Sequence, residues 1–504
     1  EELSERFWKA AEPIWASNEE TYADLAEELD SPLASALLAE IMAIDSREAF
    51  EARGLDSNGL WAIHGLSIYP MVHWQLVDAQ AFEAMLDRAA TEAGTDLPKR
   101  SIGEQELIWV DLGGFGLAVH HDDRFVTAAL VPDEPDMLRR VANLDRPDEA
   151  FRPDSLSEFN RERGFAPQGS GYFDFTRLVD RLLDTDSDPI MAGRHEKFDG
   201  IADNTACQSE LRALTGIVPR LSGGYTQLSD REVHFAMSVE TDSEFGGKLA
   251  GIADSPVSFD KGEPGLLSAG LSINIVAARD FAREIVDGWV EQPPECPLFS
   301  NIRENAEDWQ LGLNRPIPPV VTNLQGFRVQ VDHVETGGET GIRDVAGTLA
   351  IFMRNPQMMI GMAQMFSPEL AELDLTPGKE PQPLPPGMVP NLPEGAEAFI
   401  AMGENALGLA LGSDQRDRIV DALQPGEADS TLFRYAINWP AYIEMMEAMM
   451  AQTRSELAEM DTDIEMPDNE DMFAGLAEVY QYSDTSIELS EAGIRIASSM
   501  RLAE

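Results

Sequence analysis

Lysine is almost missing from this chain: Lys9, Lys99, Lys197, Lys248, Lys261 and Lys379 are all there are in 504 residues. Lysine and arginine together number 37 against 90 acidic residues, a formal net charge of −53. A surface of that sign does not neutralise phosphate, which excludes the usual mode of nucleic-acid binding. An anionic membrane face repels it for the same reason. Long apolar runs are missing too. None approaches the roughly 18–20 residues that a bilayer-spanning helix needs. The nearest, residues 265–278, is interrupted by Ser268, Ser272 and Asn274 and reads as a buried strand and helix. The sequence therefore predicts no transmembrane segment, and with 43% hydrophobic residues it can fill sizeable cores.

The acidic excess has two readings, a cationic partner or adaptation to salty surroundings, where screening confines self-repulsion to a few ångströms. The acidic residues are spread over the whole length and lysine is depleted throughout, which favours salt. Cysteine is as scarce as lysine: Cys207 and Cys296 are the pair. An even pair in a cysteine-poor chain fits one disulfide formed in an oxidising compartment, the alternative being two buried thiols. The chain opens at Glu1 without a methionine. That fits the removal of a signal or a lipid-anchor segment upstream, or simple trimming.

Motifs that name a reaction are also missing. Gly113-Gly114-Phe115-Gly116 matches neither the dinucleotide fingerprint nor the phosphate loop and reads as a turn or bulge. Gly169-Ser170-Gly171 lacks the glycines two residues either side of a nucleophilic serine. His120-His121-Asp122-Asp123 is dense in metal-binding types, but neighbours on a strand point to opposite faces, so it reads as a hairpin tip. The run Asp461, Asp463, Glu465, Asp468, Glu470, Asp471 has Met466 and Met472 where a calcium loop needs Gly and Glu, and reads as a solvated loop. Two methionine stripes, Met358/Met362/Met365 and Met445/Met446/Met449/Met450, could offer thioethers to copper, but their helical spacing reads as core. The histidines His64, His73, His120, His121, His195, His234 and His333 assemble no triad from sequence. No catalytic, cofactor-binding or metal-binding residue is assigned, and no cofactor.

What is present is an ordered repetition. Leu228–Met237 and Leu489–Ser498 each read as a turn entering a strand. Residues 71–90 predict a strand, an Asp78 cap and a helix with Phe82, Met85 and Leu86 on one face. Residues 347–366 repeat that plan, with Leu349, Ile351 and Met353 alternating and Asn355-Pro356 starting the helix. Residues 116–144 and 398–423 both read strand, polar turn, strand, helix. Tyr172–Leu183 and Tyr435–Met446 each run from a short strand into an apolar helix. The predicted class is α+β: two similar lobes from an internal duplication, each a mainly antiparallel sheet with helices packed on one face. The boundaries are a helical N-terminal segment 1–55, with Ser31 capping and Pro32 opening a helix, a first lobe 56–253, a connector 254–265 and a second lobe 266–504. The second lobe carries a proline-rich insertion, 367–395, read as a stiff crossing.

The units led by Gly65-Leu66-Ser67-Ile68-Tyr69-Pro70 and closed by Ser222-Gly223-Gly224-Tyr225-Thr226 make residues 50–504 resemble a family of uncharacterised bacterial envelope proteins. The resemblance implies an exported, periplasmic or lipid-anchored protein and transfers no catalytic residue. The expected function is non-catalytic binding or scaffolding in the cell envelope, with an envelope protein or a small ligand as partner. The alternatives are an envelope hydrolase using unmarked carboxylates and a copper-binding protein.

Overall fold

A computed structural model describes residues 31–113, 115–145, 153–184, 204–253, 262–337, 342–385, 387–389, 395–426, 430–459 and 479–503, with residues 8, 201, 257, 259 and 476. The acidic run 461–471, His195, and most of the first 30 residues and of the connector lie outside this set. The chain divides into two compact units, Glu1–Phe159 with Arg177–Gln208, and Asn160–Thr176 with Ser209–Glu504.

The first unit holds a six-stranded antiparallel sheet: β1 (Trp61–Leu66), β2 (Tyr69–Gln75), β3 (Lys99–Ile102), β4 (Gln105–Asp111), β5 (Gly116–His121) and β6 (Phe125–Val131). Its spatial order is β1-β2-β6-β5-β4-β3. Asp78 caps the helix Ala79–Glu92 by accepting from the N–H groups of Gln80 and Ala81, and Ser31 does the same for Pro32–Met42 through Ala34. Both helices pack Leu33, Leu37, Phe82, Met85 and Leu86 against Ile108, Val110, Val119 and Val126. The alternate residues Leu107, Trp109, Ala118, Ala129 and Val131 bury on the other face under Met137, Leu138 and Val141 of the helix Pro135–Val141. The expectation of helices on one face is thus corrected. The run Leu107-Ile108-Trp109-Val110 is buried without alternation, the pattern of a strand covered on both sides.

The second unit holds a twelve-stranded antiparallel sheet. Its strands are β7 (Ser170–Asp174), β8 (Arg220–Leu228), β9 (Glu232–Glu240), β10 (Leu267–Ser272), β11 (Leu324–Thr336), β12 (Ile342–Met353), β13 (Gln382–Pro383), β14 (Ala398–Met402), β15 (Ala406–Leu411), β16 (Thr431–Asn438), β17 (Tyr480–Ser490) and β18 (Gly493–Leu502). The order is β13-β14-β15-β12-β11-β10-β16-β17-β18-β9-β8-β7. This sheet also has cover on two faces. The helix Pro356–Phe366, capped by Asn355 through the N–H of Met358, places Ile360 against Ile400, Met402 and Leu407. Ile419 and Ala422 of Arg418–Ala422 pack on Ala350, Phe352, Phe399 and Ala401. Farther along, Ser243–Ala253 seats Leu249 and Ala253 on Leu489 and Ile494. Among its described residues the proline-rich insertion supplies a helical turn, Pro368–Ala371, and the two-residue edge strand β13, both positions that tolerate proline.

Two features of strand order bear on the repetition. Along the first sheet the run β5-β6-β2-β1 has the same sequence-order pattern as β14-β15-β12-β11 in the second. In each, the helix after the second hairpin strand covers one face and the helix after the later hairpin covers the other. In the second unit, β9 pairs antiparallel with β18, and Ala236 faces Ala497. Those two alanines occupy the same position in Leu228–Met237 and Leu489–Ser498, the segments that the sequence reading aligned. The sheet boundary does not follow the lobe boundary read from sequence: β8 and β9 lie in the twelve-stranded sheet with β10–β18.

Candidate functional site

The β1–β2 hairpin carries both the most exposed apolar strand and a connected histidine pair. β1 ends the six-stranded sheet, and among the described residues no strand pairs with its outer edge. The Gln75 N–H donates to the Leu60 carbonyl at 2.9 Å. In an antiparallel ladder such pairs alternate, so Trp61, Ile63 and Gly65 turn their N–H and C=O groups away from β2. Five of the six β1 residues are exposed, among them Trp61 at 57% and Ile63 at 63%, and Leu60 and Val77 flank them in the open. The strand holds no lysine, proline or bulge, the usual devices that blunt an edge. Trp61 is instead fixed from behind. It stacks on Trp74 with ring centroids 5.8 Å apart, and the Trp74 Nε1–H donates to the Asp56 carbonyl at 3.0 Å.

On the opposite face of the hairpin a polar track crosses β1, β2, β6 and β5. His73 pairs in register with Thr127, and Thr127 with His120. Thr127 and His120 are buried. His120 Nδ1 donates to the Glu106 carbonyl at 3.0 Å, since a carbonyl only accepts. Thr127 Oγ1 lies 3.0 Å from His73 Nδ1 and accepts from Asn143 Nδ2 at 3.3 Å. Asn143 sits just past the helix Pro135–Val141 at φ +57°, a left-handed backbone that asparagine tolerates. His73 Nε2 lies 3.0 Å from His64 Nε2, and the rings are stacked. Burial, reinforced by the neighbouring His64, pushes His73 below the usual imidazole range. Its histidines, His64, His73 and His120, are ones that sequence reasoning named but left scattered, whereas Thr127 and Asn143 were not singled out. The signal that joins them is register, which places 64, 73 and 127 on one face once β2 is known to pair with β6.

The turn Asp122-Asp123 behaves as the sequence predicts. Asp122 Oδ1 accepts from the N–H groups of Arg124 and Phe125, and His120 and His121 diverge: the first is buried and the second approaches Glu83 at 3.8 Å. Cys207 and Cys296 are joined in a disulfide. The Glu210 carboxylate accepts from the backbone N–H groups of Glu295 and Cys296 and holds the second cysteine's segment. The Ser170 hydroxyl donates to Asn160 Oδ1 at 2.6 Å. The core reading of the first methionine stripe is corrected: Met358, Met362 and Met365 are exposed, and Ile360 faces the core instead.

In the second unit the sheltered carboxylates are tied to arginines. Arg434 grips Asp484 through Nε at 3.0 Å to both oxygens and through Nη2, and the Tyr482 hydroxyl donates to Asp484 at 3.0 Å. Arg163 makes a two-pronged contact with Glu240 at 2.9 Å, and Ser222 donates to the same carboxylate. Burial alone would raise the Glu240 carboxyl, but Arg163, Ser222 and Arg220 outweigh it and hold it below its ordinary range. Asp332 is bonded by Gln415 and Arg418. Carboxylates neutralised in this way are poor general acids or bases at neutral pH.

In the first unit an open groove of about 580 Å³ runs between Pro32, Leu33, Lys99, Arg100, Trp109 and Asp111. In the second unit a recess beside Gly270, Arg328 and Arg434 has about 10 Å³, room for a water at most. Among the described residues no three histidine, cysteine or acidic side chains gather as a metal cage, and no helix is long and apolar enough to cross a membrane. No protein-family model, curated protein or solved structure matches the chain.

Proposed function

We propose that this chain is a non-catalytic binding or scaffolding protein of the cell envelope, built by duplication of one α+β lobe. The observation that carries the binding reading is the open β1 edge, where uncharged backbone and the exposed Trp61 and Ile63 are presented on a rigid sheet. A contiguous exposed apolar patch on a soluble surface is characteristic of an interaction site, and an unblunted edge favours an extended segment of a partner protein. The arginines bound to Glu240, Asp332 and Asp484 disfavour these sheltered carboxylates as the acid and base of a hydrolase. The Cys207–Cys296 disulfide supports export to an oxidising compartment, in keeping with the resemblance to exported or lipid-anchored envelope proteins. The shared strand order and the Ala236–Ala497 pairing support the duplication.

The test places a photo-crosslinking residue at Ile63 in the cells that make the protein. Discrete adducts to an envelope protein, lost in a Trp61→Asp background and not formed from the exposed Leu311, are expected. Adducts no different from those at Leu311 would remove the β1 edge as the binding surface. Turnover of an envelope glycan or peptide by the purified protein would restore the hydrolase alternative.

A further inference from the structure

We propose that His64 and His73 together form a binding site for a late divalent transition-metal ion of the copper(II) or nickel(II) class. Both Nε2 atoms face each other at 3.0 Å. An ion about 2.0–2.1 Å from each, the usual metal–imidazole distance, would see them at close to a right angle. That is near the cis angle of square-planar and octahedral spheres, and two imidazoles at that angle suit copper(II) or nickel(II).

The hydrogen bonds behind the pair leave both nitrogens free to become ligands. His64 Nδ1 lies 3.4 Å from the Gly65 carbonyl, which can only accept, so in that contact the proton sits on Nδ1 and the Nε2 lone pair points outward. His73 Nδ1 faces Thr127 Oγ1, which can donate or accept. Without an ion, His73 Nε2–H donates to His64 and the Thr127 hydroxyl donates to His73 Nδ1. With an ion, the His73 proton moves to Nδ1 and is donated to Thr127, and Nε2 becomes the second ligand. Thr127 is buried and steadied by Asn143, so it acts as the outer partner that fixes a ligating imidazole. His64 is exposed and opens the site to solvent. Burial keeps His73 in the neutral form that binds metal. Water or a partner's donor would fill the remaining positions, since the site offers two protein nitrogens.

The experiment titrates copper(II) chloride into the full chain in molar potassium chloride, which suppresses binding to the many surface carboxylates, and records the paramagnetic resonance spectrum. Nitrogen splitting from two equatorial imidazoles is expected. His64→Ala, on an exposed strand position that does not disturb packing, should weaken binding at least tenfold and leave splitting from one nitrogen. His333→Ala, which removes an exposed histidine paired with Asp344, should change neither. A spectrum with oxygen ligands only in the unaltered protein, or one unchanged by His64→Ala, would overturn the proposal.

Discussion

Replacing Arg434 with methionine tests whether the second unit depends on its internal ion pairs. The side chains of Arg434 and Asp484 keep only 18% and 12% of their exposure. Asp484 would be left with the Tyr482 hydroxyl as its one remaining described side-chain donor. Removing one partner of a buried pair leaves an uncompensated charge and costs about 3–5 kcal/mol. In a unit of this size that lowers the melting temperature by about 5–8 °C. The cost should persist between 0.1 and 2 M potassium chloride, because a sheltered pair is screened far less than an exposed one. Removal of the exposed Lys379 beside Asp374, by contrast, should leave the melting temperature essentially unchanged. Arg434→Met combined with Asp484→Leu should recover most of the loss, since an apolar pair needs no compensation. Chemical denaturation read by tryptophan fluorescence measures all four proteins. A cost for Arg434→Met below about 1 kcal/mol, or one that vanishes in molar salt, would refute the reasoning: the pair would then be behaving as a solvated contact.

Other consequences are equally concrete. Cys207→Ser with Cys296→Ser opens a covalent loop of about 89 residues and should cost about 4–5 kcal/mol in the chain-entropy view, and thiol counting without reductant should find no reactive cysteine in the unaltered chain. Tyr482 is pushed up to about 12 by burial and by Asp484. Its neutral form therefore contributes stability that is complete below the free-tyrosine value near 10 and is lost as pH rises from about 10 to 12; an ultraviolet titration in which every tyrosine ionises near 10 would contradict this. A β-carbon on Gly116 would lie 2.3 Å from the buried Trp109 ring, so Gly116→Ala should cost about 1–3 kcal/mol. Gly216→Ala, with nothing within 4 Å, should be neutral or slightly stabilising by the same denaturation assay.

Local structure was legible in the sequence wherever one residue type has one job. Ser31, Asp78 and Asn355 cap the helices they were expected to cap, and the hairpin tips at Asp122 and at Gly403–Asn405 follow from turn chemistry. Layering was less legible, because Leu107–Val110 and Ala398–Met402 are buried on both faces and lose the period-two signal. The methionine stripe misled because periodicity shows that a face exists and does not show which way it turns; Ile360, two residues from both Met358 and Met362, faces the core instead. The histidine track was hidden for a different reason. His64, His73 and Thr127 come from three strands, and only their register brings them to one place.

The most direct measurement of the account is the crosslinking pattern of the β1 edge in living cells. With the probe at Ile63, a small and reproducible set of envelope-protein adducts is expected, abolished by Trp61→Asp while the fold stays intact by circular dichroism. A pattern that survives Trp61→Asp, or that matches the one obtained from Leu311, would contradict the assignment of this strand as the surface through which the protein works.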